Sequence, residues 1–247
     1  RPTGIHFNIK LAADQTWAIA QHSPPIPLLG DLSGDYVLTK TGTGSLSFTK
    51  PHPNFTGGID LRGGTLNLLD AGGLGAGRLR IFGGTEFRPL APFTSGTEIT
   101  NDVELIGPGT IRIAVGTGGR VPKFAGALKI SGTPIIRTGS GDGGHHFWTS
   151  NIDGISGFMY RGVRNLTLQG DNLFRGGVYN IGDANLIFSN GATVAPRLIA
   201  LEGTTTLASD NLAFGGIRVD SGLLRIADVD ALNGSAPIEI RDSALGM

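Results

Sequence analysis

The chain has 247 residues, no net formal charge and an apolar fraction of 39%, which excludes a disordered chain and argues against a general nucleic-acid binder. It has no cysteine, so disulfides, thiolate metal sites and a cysteine nucleophile are excluded. The 41 glycines, and the lack of any apolar run near the roughly 18 residues that span a bilayer, predict a turn-rich, all-β chain that is not membrane-spanning.

A short unit recurs along the chain, in which a glycine is followed by apolar residues two and four positions later. This alternation directs one side of a strand into a core and the other into water, and the glycine suits a bend. The units stand at 44–48, 64–68, 77–81, 109–113, 126–130 and 222–226. We therefore predict inward-pointing rows formed by Leu46, Phe48, Leu66, Leu68, Leu79, Ile81, Ile111, Ile113, Leu128, Ile130, Leu166, Leu168, Leu224 and Ile226. No sustained helical periodicity occurs, so little or no α-helix is expected.

A longer self-similarity predicts the architecture. Residues 57–68 match residues 215–226 without a gap, and a phenylalanine precedes a Gly-Gly pair at Phe55, Phe174 and Phe214. Repeated segments with short strands and no helical crossover favour one parallel β-helical domain over 1–247. With roughly 20–25 residues per coil, about ten coils are expected. An antiparallel sandwich or barrel is the alternative, but it explains the repeated phenylalanine less well.

Four segments carry a resemblance to a known family. They are Leu38-Thr-Lys40-Thr-Gly42-Thr-Gly44-Ser-Leu46-Ser-Phe48, Asn54-Phe55-Thr56-Gly57-Gly58, Gly64-Thr65-Leu66 and Gly73-Leu74-Gly75. They resemble the autotransporter-associated β-strand repeat of bacterial passenger regions, most closely over 12–81 and more weakly over 163–240. The resemblance implies a right-handed parallel β-helix that forms a non-catalytic extracellular stalk, displayed on the bacterial surface or shed, with no cofactor. Residues 82–162 depart from the pattern, and a modified coil with a longer loop is expected there.

The two ends carry a further expectation. The chain opens at Arg1 without an initiator methionine and stops after another strand-like stretch at 237–240. We interpret both ends as cuts within a longer polypeptide. We also expect the C-terminal end to be covered by more coils or by an identical subunit, and the latter would produce a homo-oligomeric fibre.

One loop is the candidate binding site. Residues 139–144 fit G-x-G-x-x-G by letter, but no helix or βαβ unit follows, and the loop holds a single imperfect copy of a calcium nonapeptide. His145 and His146 are neighbours that would point to opposite faces of a strand, so no metal is expected. Asp142, His145, His146, Phe147 and Trp148 could instead line a carbohydrate-contacting loop of an adhesin. The competing interpretation is that these aromatics pack over the edge of a coil.

A polysaccharide lyase or hydrolase on a β-helix is the remaining alternative. Such enzymes need carboxylates grouped on neighbouring coils, whereas the aspartates here are scattered singly with no Asp-Asp pair. No Gly-x-Ser-x-Gly elbow occurs either. We therefore predict that the chain is not an enzyme and has no catalytic residue.

His6, His22 and His52 lie in irregular stretches and are interpreted as surface residues.

Overall fold

The computed structural model describes residues 4–21, 24–90, 97–114, 123–138, 146–148, 151–163, 165–209, 212–228, 230–232 and 237–241. These residues form short strands and a single one-turn 3₁₀ helix, Ala71–Leu74. None of them belongs to a helix long and apolar enough to cross a bilayer.

The strands follow one another closely along the chain. The first ten are β1 (Ile9–Lys10), β2 (Gln15–Ala18), β3 (Ile26–Leu28), β4 (Leu32–Ser33), β5 (Leu38–Thr41), β6 (Ser45–Phe48), β7 (Ile59–Leu61), β8 (Thr65–Leu68), β9 (Leu79–Phe82) and β10 (Thr85–Pro89). The next ten are β11 (Glu98–Ile99), β12 (Val103–Ile106), β13 (Thr110–Ile113), β14 (Lys123–Phe124), β15 (Leu128–Ser131), β16 (Ile135–Thr138), β17 (His146–Trp148), β18 (Ile152–Gly154), β19 (Phe158–Tyr160) and β20 (Leu166–Leu168). The last ten are β21 (Asn172–Phe174), β22 (Val178–Asn180), β23 (Asn185–Ser189), β24 (Thr193–Ala195), β25 (Leu198–Ala200), β26 (Thr204–Ala208), β27 (Leu212–Phe214), β28 (Ile217–Val219), β29 (Leu223–Ile226) and β30 (Ile238–Ile240).

The strands stack into three long parallel sheets. Sheet 1 has 11 strands in the order β3-β6-β8-β10-β13-β16-β19-β22-β25-β28-β30, and sheet 2 has 10 in the order β2-β5-β7-β9-β12-β15-β18-β21-β24-β27. Sheet 3 has 7 strands, β11-β14-β17-β20-β23-β26-β29. The pairing in these sheets is parallel, and the chain makes about nine turns. The predicted all-β parallel β-helix is confirmed, and the antiparallel alternative is wrong.

The core lies inside the coils as stacked rows of apolar side chains. Twelve of the fourteen residues predicted to point inward are buried, from Leu46 and Phe48 through to Leu168. The phenylalanines before the three Gly-Gly pairs, Phe55, Phe174 and Phe214, are buried as well. The repeat therefore places one aromatic ring in the interior at each of these bends.

The last strand of sheet 3 is not fully buried, although its register stacks Leu224 on the buried Thr205 and Ile226 on the buried Leu207, as expected for inward positions. Ile226 is 45% exposed, and Leu224 is only partly buried against the core. Both belong to β29, which is the last strand of sheet 3 in the described part of the chain. An inward side chain of a solenoid is covered by the coils on both sides, and β29 has a neighbour on one side only.

The divergent middle of the chain continues sheets 1 and 2 and contains the first strand of sheet 3, β11. Leu46 pairs with Leu66, an advance of 20 residues, whereas Leu79 pairs with Val103, an advance of 24. The extra residues lie between the strands, so the coils are longer there while the strands keep their stacking.

The glycine pair at 57–58 shows why the bends require glycine. A Cβ on Gly57 would overlap the backbone of Tyr36 in the preceding coil. Gly58 has a φ of 100°, a backbone conformation that residues with a Cβ rarely adopt. The coils approach each other backbone to backbone at this bend.

Candidate functional site

The predicted binding loop falls largely outside the described residues. Asp142 and His145 lie outside them, and so does the glycine run at 139–144. His146 and Phe147 belong to β17, and their backbones pair with Leu166 and Thr167 of the next coil. The structure therefore shows that part of the predicted loop is a strand of sheet 3, while the binding role of these four residues stays a prediction.

Trp148 lies in the interior of the solenoid. Its side chain is 1% exposed, and its indole meets the ring of Phe124 edge to face at a centroid distance of 6.2 Å. An indole in this position packs against the core and presents no face to a sugar at the surface. Trp148 is therefore part of the core and does not lie over the edge of a coil, as the competing interpretation expected.

Charged side chains on the outer face of sheet 2 form a ladder of alternating sign. The register aligns Asp60, Arg80, Glu104, Lys129 and Asp153 on five successive strands. Arg80 donates from Nε and Nη2 to the two oxygens of Asp60, at 2.5 and 2.7 Å. Cross-strand pairs of opposite charge stabilise a sheet. The Asp60–Arg80 ion pair therefore ties two consecutive coils together, and the register continues the alternation of sign up to Asp153.

A shallow groove of about 320 Å³ lies over this ladder. Its lining residues are Arg78, Asp102, Val103, Glu104, Ala127 and Lys129. The charged side chains of this lining balance each other in sign, so the groove has no strong field of either sign. Within the described ranges, no group of three or more histidine, aspartate or glutamate side chains is arranged to hold a metal ion.

Lys40 is a buried cation without a carboxylate partner in the described part of the chain. Its Nζ donates to the backbone oxygens of Gly44 and Gly63 at 2.7 Å each, with longer contacts to Thr41 and Gly42. Burial lowers the pKa of Lys40 to about 8. The ammonium joins the glycine-rich bends of two consecutive coils. Its position between Leu38 and Gly42 was part of the family pattern, but the pattern does not show that the side chain turns inward.

His52 was predicted at the surface, and that prediction was wrong. The imidazole is 1% exposed, and its Nδ1 accepts a hydrogen bond from the backbone N–H of Leu32 at 3.3 Å. The ring meets Phe48 edge to face at 5.5 Å. Burial lowers the pKa of His52, and the nearby positive charge of Lys50 lowers it further. His6 is exposed as predicted, and His22 lies outside the described residues.

The aspartates fit a structural role. Asp60 is 3% exposed and is held by Arg80, and Asp31 forms an ion pair with Lys50 at 2.6 Å. The hydrogen bond and charge of Lys50 keep the pKa of Asp31 below its usual range. A general acid needs a raised pKa and a reachable proton. The pKa of Asp31 is shifted in the opposite direction.

A comparison with known families gives one match. Residues 38–68 match the model of the passenger-associated-transport-repeat. No curated protein and no solved structure matches the chain. The matched segment contains Lys40, the bend at Asn54–Gly58 and strands β5 to β8. Together with the parallel β-solenoid, the match confirms the resemblance to autotransporter passenger repeat proteins.

Proposed function

We propose that this chain, a parallel β-solenoid carrying a passenger-associated-transport-repeat at residues 38–68, is a non-catalytic structural segment of an exported bacterial surface or secreted protein. The fold and the repeat support a passenger-associated β-helix domain. The finer proposal is that the segment acts as a stalk, which places whatever it carries at a fixed distance from its anchor.

One observation carries this proposal: the solenoid uses its buried polar groups to join coils. Lys40 bonds to carbonyls of two coils, and Asn67 donates to Ser47 of the preceding coil at 2.9 Å. Asn180 likewise donates to Thr205 of the following coil at 3.2 Å. Groups that reach across coils stiffen the rod, and they are not arranged around a space for substrate.

An export assay tests the stalk. The chain is placed between a signal peptide and an outer-membrane translocator, and protease is added to intact cells. We expect the chain to be cleaved only from the outside and to appear as a rod in electron micrographs after purification. A Leu66→Asp variant, which buries a charge in the core, is the matched control and should lose the rod. Retention of the parent chain inside the cell would contradict the proposal.

Catalysis is tested on the same material. The purified chain is incubated with polygalacturonate and alginate, and reducing ends are measured. We expect no release above that of the Leu66→Asp variant. Release by the parent chain alone would replace the stalk with the polysaccharide-cleaving alternative.

End-to-end self-assembly is a second part of the proposal. Strands β29 and β30 are last in sheets 3 and 1 of the described chain, and their apolar side chains are exposed: Leu223 60%, Ile226 45% and Ile240 77%. A second copy stacked on these strands would cover them and continue the ladders. Light scattering at rising concentration should show oligomers that Ile226→Lys with Ile240→Lys disperses. A parent chain that stays monomeric at every concentration would contradict the assembly.

A further inference from the structure

The outer face of sheet 1 carries arginines on three consecutive coils. Arg112 in β13 pairs in register with Arg137 in β16. Arg161 follows β19 directly, and its backbone N–H bonds to the carbonyl of Ile136, which places it beside Arg137. Neighbouring strands in a sheet lie about 4.8 Å apart, so the three residues form a row along the axis of the solenoid. We call Arg112, Arg137 and Arg161 the arginine row.

The arginine row is poorly neutralised. Glu86, one strand before Arg112, is shared between Arg88 at 3.0 Å and Arg112 at 3.2 Å. Arg137 and Arg161 are exposed, and neither forms an ion pair with a carboxylate of the described residues. Like charges directly opposite each other on adjacent strands destabilise a sheet.

The outer face of sheet 2 carries a different arrangement of aligned charges. There the aligned positions alternate in sign from Asp60 to Asp153, and each charge has an opposite neighbour. The arginine row lacks this alternation over three strands. An external anion would supply the missing negative charge.

The surface beside Arg137 and Arg161 is apolar. Ile135 and Met159 lie two residues before these arginines, and Tyr179 continues their row on the next strand, β22; all three are partly buried, whereas the exposed Thr110 holds this position before Arg112. A sugar ring presents apolar C–H faces as well as polar groups, and such faces pack on aliphatic and aromatic side chains. The two parallel rows therefore offer a charged track and an apolar track along one face.

We propose that the arginine row binds a linear acidic polysaccharide that runs along the solenoid axis with one carboxylate or sulfate per sugar. The planar guanidinium forms paired hydrogen bonds to either group. In an extended acidic glycan the repeat between anionic groups is comparable to the distance between coils, so successive anions meet successive arginines. This binding site goes beyond the stalk function, does not depend on it, and includes none of residues 142–148.

The surface favours a glycan over a nucleic acid. Single-stranded nucleic acids bind to grooves that combine positive charge with several aromatic platforms, and Tyr179 is the one aromatic among the three apolar positions named above. The chain as a whole has no net charge, so it lacks the broad positive field that dominates nucleic-acid affinity.

Binding of the 247-residue chain to immobilised polygalacturonate, dextran sulfate, neutral dextran and single-stranded DNA tests the proposal. We expect binding to one or both acidic polysaccharides and none to neutral dextran. Arg137→Gln with Arg161→Gln should weaken that binding by at least about tenfold, because two charge-assisted contacts are lost. The matched control is Arg78→Gln with Arg225→Gln, which removes the same charge from two exposed arginines outside the row. Its affinity should stay within about twofold of that of the parent, a smaller change than the loss of one charge-assisted contact would cause.

Further measurements distinguish carboxylates from sulfates as the bound anion. They also separate the effect of positive charge from that of the paired hydrogen bonds of the guanidinium. Binding to polygalacturonate alone assigns carboxylates, and binding to dextran sulfate alone assigns sulfates. Arg137→Lys with Arg161→Lys keeps the charge but loses the paired geometry, so it should bind less tightly than the parent and more tightly than the glutamine variant. Melting curves should show that the glutamine variant folds, because both side chains are exposed.

Three results would overturn the proposal. The first is no binding of the parent chain to either acidic polysaccharide at low salt. The second is an equal loss in the row variant and its matched control, which would show attraction by net charge alone. The third is tighter binding to single-stranded DNA than to both glycans, which would assign the row to a nucleic acid.

Discussion

Lys40 closes two glycine-rich bends from inside the solenoid, so its replacement leaves backbone carbonyls without donors. Lys40→Met keeps much of the side-chain volume but removes the bonds to Gly44 and Gly63. We expect the free energy of unfolding to fall by about 2–4 kcal/mol, since buried acceptors lose their partners. Urea denaturation measures the change, with the exposed Lys10→Met as control. Equal stability of the two variants would contradict the structural role of Lys40.

His52 predicts how the fold responds to acid. Because burial, and then Lys50, lowers the pKa of His52 in the folded chain, the unfolded chain binds a proton more readily below pH 6.5. The stability linked to His52 is therefore complete above pH 6.5 and is lost as the pH falls through the lowered value. Thermal melts between pH 7.5 and 4.5 should show a smaller acid loss in His52→Gln than in the parent. Parallel profiles for the two proteins would show that His52 has the same pKa in the folded and the unfolded chain, which would contradict the prediction.

At the scale of the strand, position along the solenoid decides the cost of a cavity. Leu66 is fully buried in β8 with strands stacked on both sides, whereas β29, which contains the partly exposed Leu224, has one neighbouring strand among the described residues. We expect Leu66→Ala to lower the free energy of unfolding by about 2–5 kcal/mol and Leu224→Ala by about 1 kcal/mol or less. Chemical denaturation compares the two. A similar large loss in both would mean that β29 is covered in solution.

The contribution of an ion pair should likewise depend on how deeply it is buried. Asp60 is 3% exposed and receives Arg80 and Arg62, whereas Glu239 and Arg241 are both more than half exposed. Asp60→Asn should cost about 1–3 kcal/mol, because a partly buried guanidinium loses its charged partner. The control Glu239→Gln should cost under about 1 kcal/mol. The proposed importance of the sheet 2 ladder would be rejected if both changes had the same small effect in urea melts.

The strands were predictable because alternation of apolar residues is a local property. The inward orientation of Leu66 and Phe48 follows from the alternation of apolar and polar residues within a strand of about four residues. The alignment of Asp60 with Arg80 and Glu104 was not predictable, because it depends on coil lengths of 20 and 24 residues set by the intervening turns. The burial of His52 and Lys40 depends likewise on the next coil. The arginine row was not predictable either, because the pairing of Arg112 with Arg137 depends on the length of the coil between them.

At the scale of the whole molecule, each coil contacts only its neighbours, so stability should vary along the axis. Coils in the middle of the stack are covered on both sides, and those around β29 and β30 are covered on one side in the described chain. Hydrogen exchange should therefore be slowest in strands such as β8, β12 and β20 and fastest in β29 and β30. Uniform protection along the chain would show instead that the solenoid opens as one unit.

The stacking of coils has a mechanical consequence. A coil of about 20 residues occupies only one strand spacing, about 4.8 Å, along the axis, while the same residues pulled straight reach roughly 66 Å. Tension applied along the axis would strip coils from an end one at a time, and each would release about 60 Å of slack. A force that exceeds the strength of one coil would therefore unfold that coil and lengthen the chain. The extension would relieve the force before the covalent attachment at either end of the solenoid is broken.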